Sequence, residues 1–420
     1  VVNITFDIKK GKQVYFEEII ISGNTKTRDK VIRRQLKVYE QELFSGVRIK
    51  RSVRNLYRLD YFKDIKVNTI KGSSDDTMVL KLNVTEKPTG SFQFGGGYSS
   101  TEKLFLMATI SQKNLFGRGH ILNLQGQWGD VTKKYSLAFT EPWLFDIPLS
   151  VGAKLYNWQY EYDEYEKDSV GGSFGFGYPV YDYTRASINF ARDNADIKIA
   201  DEVKAPQSIV DLVEDLGGDD IITNSISTAL IYDSRDRMFN PTEGANHSIT
   251  VKYAGFGGDV GFRKYVSSAG WYIPLYKGLV GFLRAKGGYV RENSDGKLPD
   301  YDRFFLGGMG SLRGFEWEDL APKDEDGNEV GGDKFVQFNI ELLYPIFKDA
   351  GIVGVVFFDT GEVYGKDEDV DLGELRESAG LGFRWYSPIG PIRIEYGYIL
   401  DPIKDHGEGG KWEFTMGGSF

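Results

Sequence analysis

The chain has 420 residues, with 51 basic and 61 acidic side chains, a formal net charge of −10 and no cysteine. The missing cysteines exclude a disulfide scaffold, a thiolate zinc site and a thiol nucleophile, and the acidic balance argues against a nucleic-acid binder. The longest apolar run, Gly351 to Phe358, falls far short of the roughly 20 residues that a membrane-crossing helix needs. Aromatics make up 14% of the chain and there are only 13 prolines, a balance that favours strands.

The first 87 residues alternate element types. Val2 to Ile8 reads as a strand with no partner in the order that follows, so residues 1–10 look like the end of a preceding domain and the natural protein is expected to extend further N-terminally. Tyr15 to Ser22 is a strand ending in the turn signal Ser22-Gly23-Asn24. Thr27 to Leu36 reads as a helix with Thr27 as N-cap and Val31, Ile32 and Leu36 inward. Residues 46–59 give a second helix, with Val47, Val53, Leu56 and Leu59 expected to be buried. Strands at 62–70 and 77–85 flank a Lys71–Asp76 turn. Residues 11–87 are thus a small α+β domain of order βααββ.

From about residue 88 the helical period vanishes. Strands of roughly ten residues alternate apolar and polar side chains between polar loops. Phe338, Ile340, Leu342 and Tyr344 alternate with Gln337, Asn339 and Glu341; Ile392, Ile394, Tyr396 and Tyr398 alternate with Arg393, Glu395 and Gly397. Seventeen such segments can be drawn; the short one at 299–305 belongs to a long loop, 292–334, which leaves sixteen. An even number suits a closed antiparallel barrel in a membrane, and the strongly polar second face suits a wet lumen. A soluble sandwich would also alternate, but sixteen long strands exceed one. The fold class is mainly β: a 16-stranded antiparallel transmembrane barrel over 88–420.

No catalytic set is visible. The three histidines, His120, His247 and His406, have no metal-like spacing, and the glycine clusters open no helix after a strand. Asp324 to Glu329 carries calcium-ligand residue types, but its glycine is fourth rather than sixth, so a solvated loop is the better reading. No enzyme, metal or cofactor is expected. One pair stands out. Glu341 and Asp359 share the inward parity, and a hairpin centred near Asp349-Ala350 places them roughly opposite. Like charges opposed across strands repel, and the guanidinium of Arg313 could bridge them. Spacing alone favours the simpler arrangement, with each carboxylate facing lumen water.

At Leu312-Arg313-Gly314-Phe315 the sequence resembles the outer-membrane protein assembly family typified by BamA. Asn114–Gly119, Thr140–Phe145, Asp233–Asp236 running to Asn240–Gly244, Phe357–Gly361 and the last strand ending on Phe420 are similar to the same family in the same order. Residues 11–87 resemble its POTRA domain. The resemblance implies that the loop folds into the lumen, where Arg313, with Gly314 and Phe315 beside it, binds Glu341 and Asp359. It implies a lateral seam between the first strand, with Phe92, Phe94, Gly95, Gly96 and Gly97, and the last, with Trp412, Phe414, Gly417, Gly418 and Phe420. Glycines weaken strand pairing, and also relieve barrel curvature.

The function implied is folding and insertion of barrel clients at that seam without ATP. It would take place in the bacterial outer membrane, with the POTRA domain in the periplasm. Implied partners are unfolded outer-membrane clients, accessory lipoproteins, periplasmic chaperones and outer-membrane lipid, with no nucleic acid. The alternatives are a polypeptide-secreting transporter of the two-partner type and a translocation and assembly module barrel. Glu141–Phe145 is more similar to the assembly branch.

Overall fold

A computed structural model describes residues 13–99, 103–161, 165–199, 205–216, 220–324, 327–387, 390–402 and 409–416. The expected strand at Val2–Ile8 and the seam residues Gly417, Gly418 and Phe420 lie outside them. The chain forms two compact units. One is Val1–Ser91 with Ile110–Asn123 and Phe139–Pro142; the other is Phe92–Thr109, Leu124–Ala138 and Trp143–Phe420.

The first unit contains a three-stranded sheet: β1 (Tyr15–Ser22), β2 (Phe62–Lys71) and β3 (Thr77–Glu86), in the order β1-β3-β2. Here β1 runs parallel to β3 and β2 antiparallel to it. Helices α1 (Asp29–Arg33) and α2 (Gly46–Leu59) lie between β1 and β2 in the chain. Phe16, Ile19, Val31, Ile32, Leu36, Leu56, Leu80 and Leu82 form the core. Ser45 caps α2, its hydroxyl accepting from the Arg48 N–H at 3.3 Å. Asp60 ends the helix in the left-handed region at φ 63°.

Two expectations are corrected here. Helix α1 is only five residues long, and Thr27 is not its N-cap. The Thr27 hydroxyl accepts instead from the Asn114 amide, and its N–H donates to the Glu86 carboxylate, at 2.6 Å. Val47 is 66% exposed, because nine residues at about 100° each set it about 180° from the buried Leu56, on the outer face of α2, while Ile49 takes the inward place in that turn.

The second expectation of architecture, sixteen strands, holds in full. They are β4 (Gly90–Ser99), β5 (Lys103–Leu115), β6 (His120–Gly129), β7 (Thr132–Glu141), β8 (Ser150–Glu161), β9 (Tyr165–Tyr181), β10 (Thr184–Ile199) and β11 (Asp220–Asp233); then β12 (Gly244–Gly255), β13 (Phe262–Pro274), β14 (Val280–Glu292), β15 (Lys334–Phe347), β16 (Ile352–Tyr364), β17 (Arg376–Ser387), β18 (Gly390–Ile399) and β19 (Gly410–Met416). Each pairs with its chain neighbours, and β19 returns to β4 to close the barrel. The 299–305 segment is a tight turn at Asp300–Asp302 followed by a bridge from Phe304 to Gly332.

Burial in β15 is inverted relative to a soluble protein. Phe338, Ile340, Leu342 and Tyr344 are exposed, whereas Gln337, Asn339 and Glu341 are buried. An apolar outer face and a polar inner one are what hydrocarbon outside and a packed polar lumen inside require. The closed sheet also pairs its backbone groups without recourse to water. Inside, helix α3 (Gln207–Leu216) contributes Ile209 and Leu212 to a cluster with Phe304, Leu306, Leu312, Phe315, Leu320 and Phe335. The β14–β15 loop is therefore held in an apolar cluster that it shares with α3 and with strand residues such as Phe262, Val290 and Phe335.

The Glu86 carboxylate accepts from the Thr25 hydroxyl at 2.8 Å and from the backbone N–H groups of Lys26 at 2.9 Å and Thr27 at 2.6 Å. Partial burial would push its carboxyl up, but the bonds from Thr27, Lys26 and Thr25 override this and hold it below the usual range. A lowered carboxyl stabilises the fold above its unfolded pKa of about 4.3, and that contribution is lost as pH falls through the folded value. Glu86→Ala should speed amide exchange at Lys26 and Thr27 by roughly tenfold, the equivalent of about one lost hydrogen bond. Exchange measured on the whole chain at neutral pH checks this, and the difference from the parent should shrink below about pH 4.

Candidate functional site

The segment Leu312-Arg313-Gly314-Phe315 lies at the inner wall. Its turn is set by Gly307, where a Cβ would strike the Glu316 carbonyl at a φ of 132°. Ser311 pins the same turn, its hydroxyl bonding both the N–H and the carbonyl of Gly307 at 2.8 and 2.7 Å. Leu312 and Phe315 are buried in that shared apolar cluster. Between them the chain must turn its polar groups outward, toward the barrel strands.

Arg313 is 2% exposed, so every donor needs a partner. Nε and Nη2 grip Asp359 in a fork, both at 2.6 Å. Nη1 donates to Glu341 and to Glu395, each at 2.7 Å. The guanidinium lies 3.5 Å from the centre of the Phe357 ring. The Arg313 backbone N–H adds a bond to Asp359 at 3.2 Å. Behind this layer, Arg384 binds Glu341 through both terminal nitrogens at 2.9 and 2.7 Å and Glu395 through Nε at 2.8 Å. Arg393 binds Glu395 twice, at 3.0 Å. Three guanidiniums thus meet three carboxylates, Glu341, Asp359 and Glu395, which is how such charges become tolerable when buried.

The neighbouring residues serve the same contact. Asn339 donates to Asp359 at 2.7 Å and to the Ser311 carbonyl at 2.8 Å. At Gly361 a Cβ would press on Leu312 at 3.0 Å, and at Gly397 it would meet the Arg313–Gly314 backbone at 2.5 Å. Gly314 itself has φ 101°. The loop therefore rests on bare backbone at β18, and its Gly314 N–H reaches Glu413 of β19 at 2.8 Å. A cavity of about 370 Å³ adjoins the clasp and is lined by Arg235, Ser268, Tyr272, Arg284 and Glu341 among others.

The barrel closes between its first and last strands. Among the described residues β19 meets β4 through one registered pair, Thr415 with Ser99. It meets β18 from Met416–Ile392 through to Gly410–Tyr398. At Gly97 a Cβ would strike the Met416 carbonyl, so glycine there permits the close approach. Phe92, Phe94 and Trp412 are 68%, 67% and 62% exposed on the outer face, and Phe414 lies against Tyr98 with ring centres 6.1 Å apart. Gly96 abuts Leu106, while Gly95 has open space around its α-carbon.

Residues 114–420 match the Omp85 superfamily domain, and residues 14–87 match POTRA, described as a surface antigen variable number repeat. The chain belongs to the Omp85 superfamily. An outer membrane protein assembly factor BamA from Nitratidesulfovibrio vulgaris is 31% identical over the whole of this chain and 53% of its own length. The chain spans about half the length of the curated relatives it matches. Two solved structures share the fold. BamA from Haemophilus ducreyi lacking POTRA domains 1–3 superposes with a TM-score of 0.80 at 24% identity, covering 96% of this chain and 84% of that one. CdiB from Acinetobacter baumannii gives 0.67 at 14% identity, over 96% and 74%.

In this Omp85 barrel the structure brings Arg313, Glu341 and Asp359 into one contact, with Gly314 and Phe315 beside it. The two carboxylates are not directly opposed. Asp359 pairs with Asn339, and Glu341 with Phe357, and the bulge between Pro345 and Phe347 accounts for one residue of that offset. Neither carboxylate simply faces lumen water, since both are buried. Sequence reasoning passed over Arg384, Arg393, Glu395 and Glu413. All lie on the inward parity of their strands, and two arginines so close to an inward glutamate were the available signal.

Arg313→Ala should destabilise the barrel by about 3–5 kcal/mol, as removal of one partner from a buried ion pair does. Arg313→Lys should recover only part, because an ammonium lacks the planar fork. Asp326→Ala, in the acidic run of the same loop, should change little. Heat-induced mobility shifts of the lipid-reconstituted chain compare the three.

Proposed function

We propose that this chain is the membrane part of an outer-membrane protein assembly factor, which folds and inserts β-barrel clients by templating strands at the β4–β19 seam. What supports this reading is the similarity to BamA over the whole chain, in a barrel that closes where its first strand, β4, meets its last, β19. Such a closing edge, joined by no hairpin, can part sideways and offer unpaired N–H and C=O groups to an incoming strand. Growth of the client sheet satisfies its backbone in lipid and buries apolar side chains, so the driving force lies in the client and no ATP is needed. No bond of the client is made or broken chemically, and the protein is read as no enzyme.

The remaining assignments follow from the same reading. The barrel sits in the outer membrane, with outer-membrane lipid against Phe92, Phe94 and Trp412. The POTRA domain faces the periplasm and receives clients, chaperones or accessory lipoproteins by strand addition. Strand β2 is the edge suited to this. The start of β1 is already engaged, since Phe16 bonds Glu42 and Gln41 and the Phe44 N–H donates to Val14. Export of a polypeptide through the lumen, the secretion alternative, would require the β14–β15 loop to leave the barrel against the buried Arg313 contact.

The cysteine-free sequence makes the test direct. Single cysteines along Gln93–Ser99 are paired with single cysteines along the last strand of a client barrel during its biogenesis. A ladder of register-specific disulfides is expected. Gln337 is unsuitable as a lumen control because it is fully buried, so Ser268, which lines the cavity, replaces it. Cross-links confined to Ser268 would show passage through the pore and overturn the reading.

A further inference from the structure

The last strand carries a charge that the clasp does not neutralise. Glu413 is 1% exposed and lies directly opposite Glu395, itself fully buried, across β18–β19. Like charges so opposed weaken a strand pair. The two are treated unequally. Glu395 accepts from Arg313, Arg384 and Arg393. Glu413 accepts one bond, from the Gly314 N–H to Oε1 at 2.8 Å, and its Oε2 has no partner among the described residues. Lys411, on the same strand, is turned to Glu316, at 2.8 Å. Arg313, Arg384 and Arg393 direct their bonds to Glu341, Asp359 and Glu395, and Arg284 adjoins Glu341 rather than Glu413.

We propose that Glu413 is the positioning residue that couples the loop to the seam: the seated loop ties β19 to the wall through Gly314, and a withdrawn loop lets the Glu395–Glu413 repulsion loosen β19. This rests on the reading of β4–β19 as a lateral opening. Withdrawal removes the Gly314 donor to Glu413 and one of the three arginines on Glu395 in a single movement. Both losses fall on the β18–β19 pair, whose outer strand forms one lip of the seam. The glycine contact makes the coupling tight. With Gly397 under the Arg313–Gly314 backbone, the loop cannot shift by a side chain's breadth and keep the Gly314 bond. A neutral glutamine at position 413 would still accept from Gly314 but would not repel Glu395.

The test uses Ser99→Cys with Thr415→Cys, the registered seam pair, in the full chain in lipid vesicles, with the rate of disulfide formation reporting closure. Glu413→Gln alone should raise the rate at least about twofold. Arg313→Ala should lower it about fivefold in the parent, but less than about twofold when combined with Glu413→Gln. An equal effect of Arg313→Ala in both backgrounds, or an unchanged rate in Glu413→Gln alone, overturns the coupling. The second variant keeps the test decisive if Arg313→Ala fails to fold. Client insertion is assayed in parallel. Seam rates that shift as expected while insertion does not would leave the coupling standing and overturn the templating reading.

Discussion

A guanidinium buried in the lumen of a barrel must have all its donors met, and the rest of this structure is arranged around that demand. Arg313 draws carboxylates from three different strands, β15, β16 and β18, to one point, and Arg384 and Arg393 exist there to balance them. The loop that carries Arg313 could not deliver it without Leu312 and Phe315 anchoring an apolar core on either side, nor without glycines at 314, 361 and 397 that let backbone and side chain approach. Stability from the ion pairs themselves is not the point, since well-packed apolar residues could give as much. What the arrangement supplies is one permitted position for a long loop, fixed by a planar fork that tolerates no slippage.

That fixed position has consequences at the far side of the cluster. Glu413 belongs to the seam strand, and its bond to Gly314 makes the loop and the last strand parts of one contact. The strand that closes the barrel is thereby tied inward by the same tetrapeptide that carries the arginine. A barrel built for passive permeation gains nothing from such a link. A barrel that must open along one line, and close again, does.

The strands were legible because lipid and lumen write a two-residue period directly into the chain, and each strand is long enough to display it. The small N-terminal domain was legible from turn signals and apolar spacing. Thr27 failed as an N-cap because a tertiary partner, the Asn114 amide, donates to its hydroxyl oxygen, which local pattern cannot foresee. Val47 failed because it sits about half a turn around the helix from Leu56, so the helical period itself places it on the outer face. A different limit applies in the site. Parity placed Glu341, Asp359, Arg384, Arg393 and Glu395 inside, yet said nothing of depth, so water was as acceptable a partner as arginine. Their convergence depends on register, and a single bulge at Pro345–Phe347 shifts Asp359 by one residue to lie opposite Asn339. Only the resemblance of Leu312–Phe315 to a known loop pointed to the right cation, and Glu413 had no signal beyond its inward parity.

The central claim is that the Arg313 contact, besides stabilising the barrel, holds the last strand in particular. The most direct measurement is amide hydrogen exchange, resolved by strand, on the lipid-reconstituted chain and on its Arg313→Lys variant. The account predicts faster exchange at Gly314 and along Trp412–Thr415, with β12 and β13 unchanged. Unaltered protection in β19, or a uniform loss that includes β12 and β13, would contradict it.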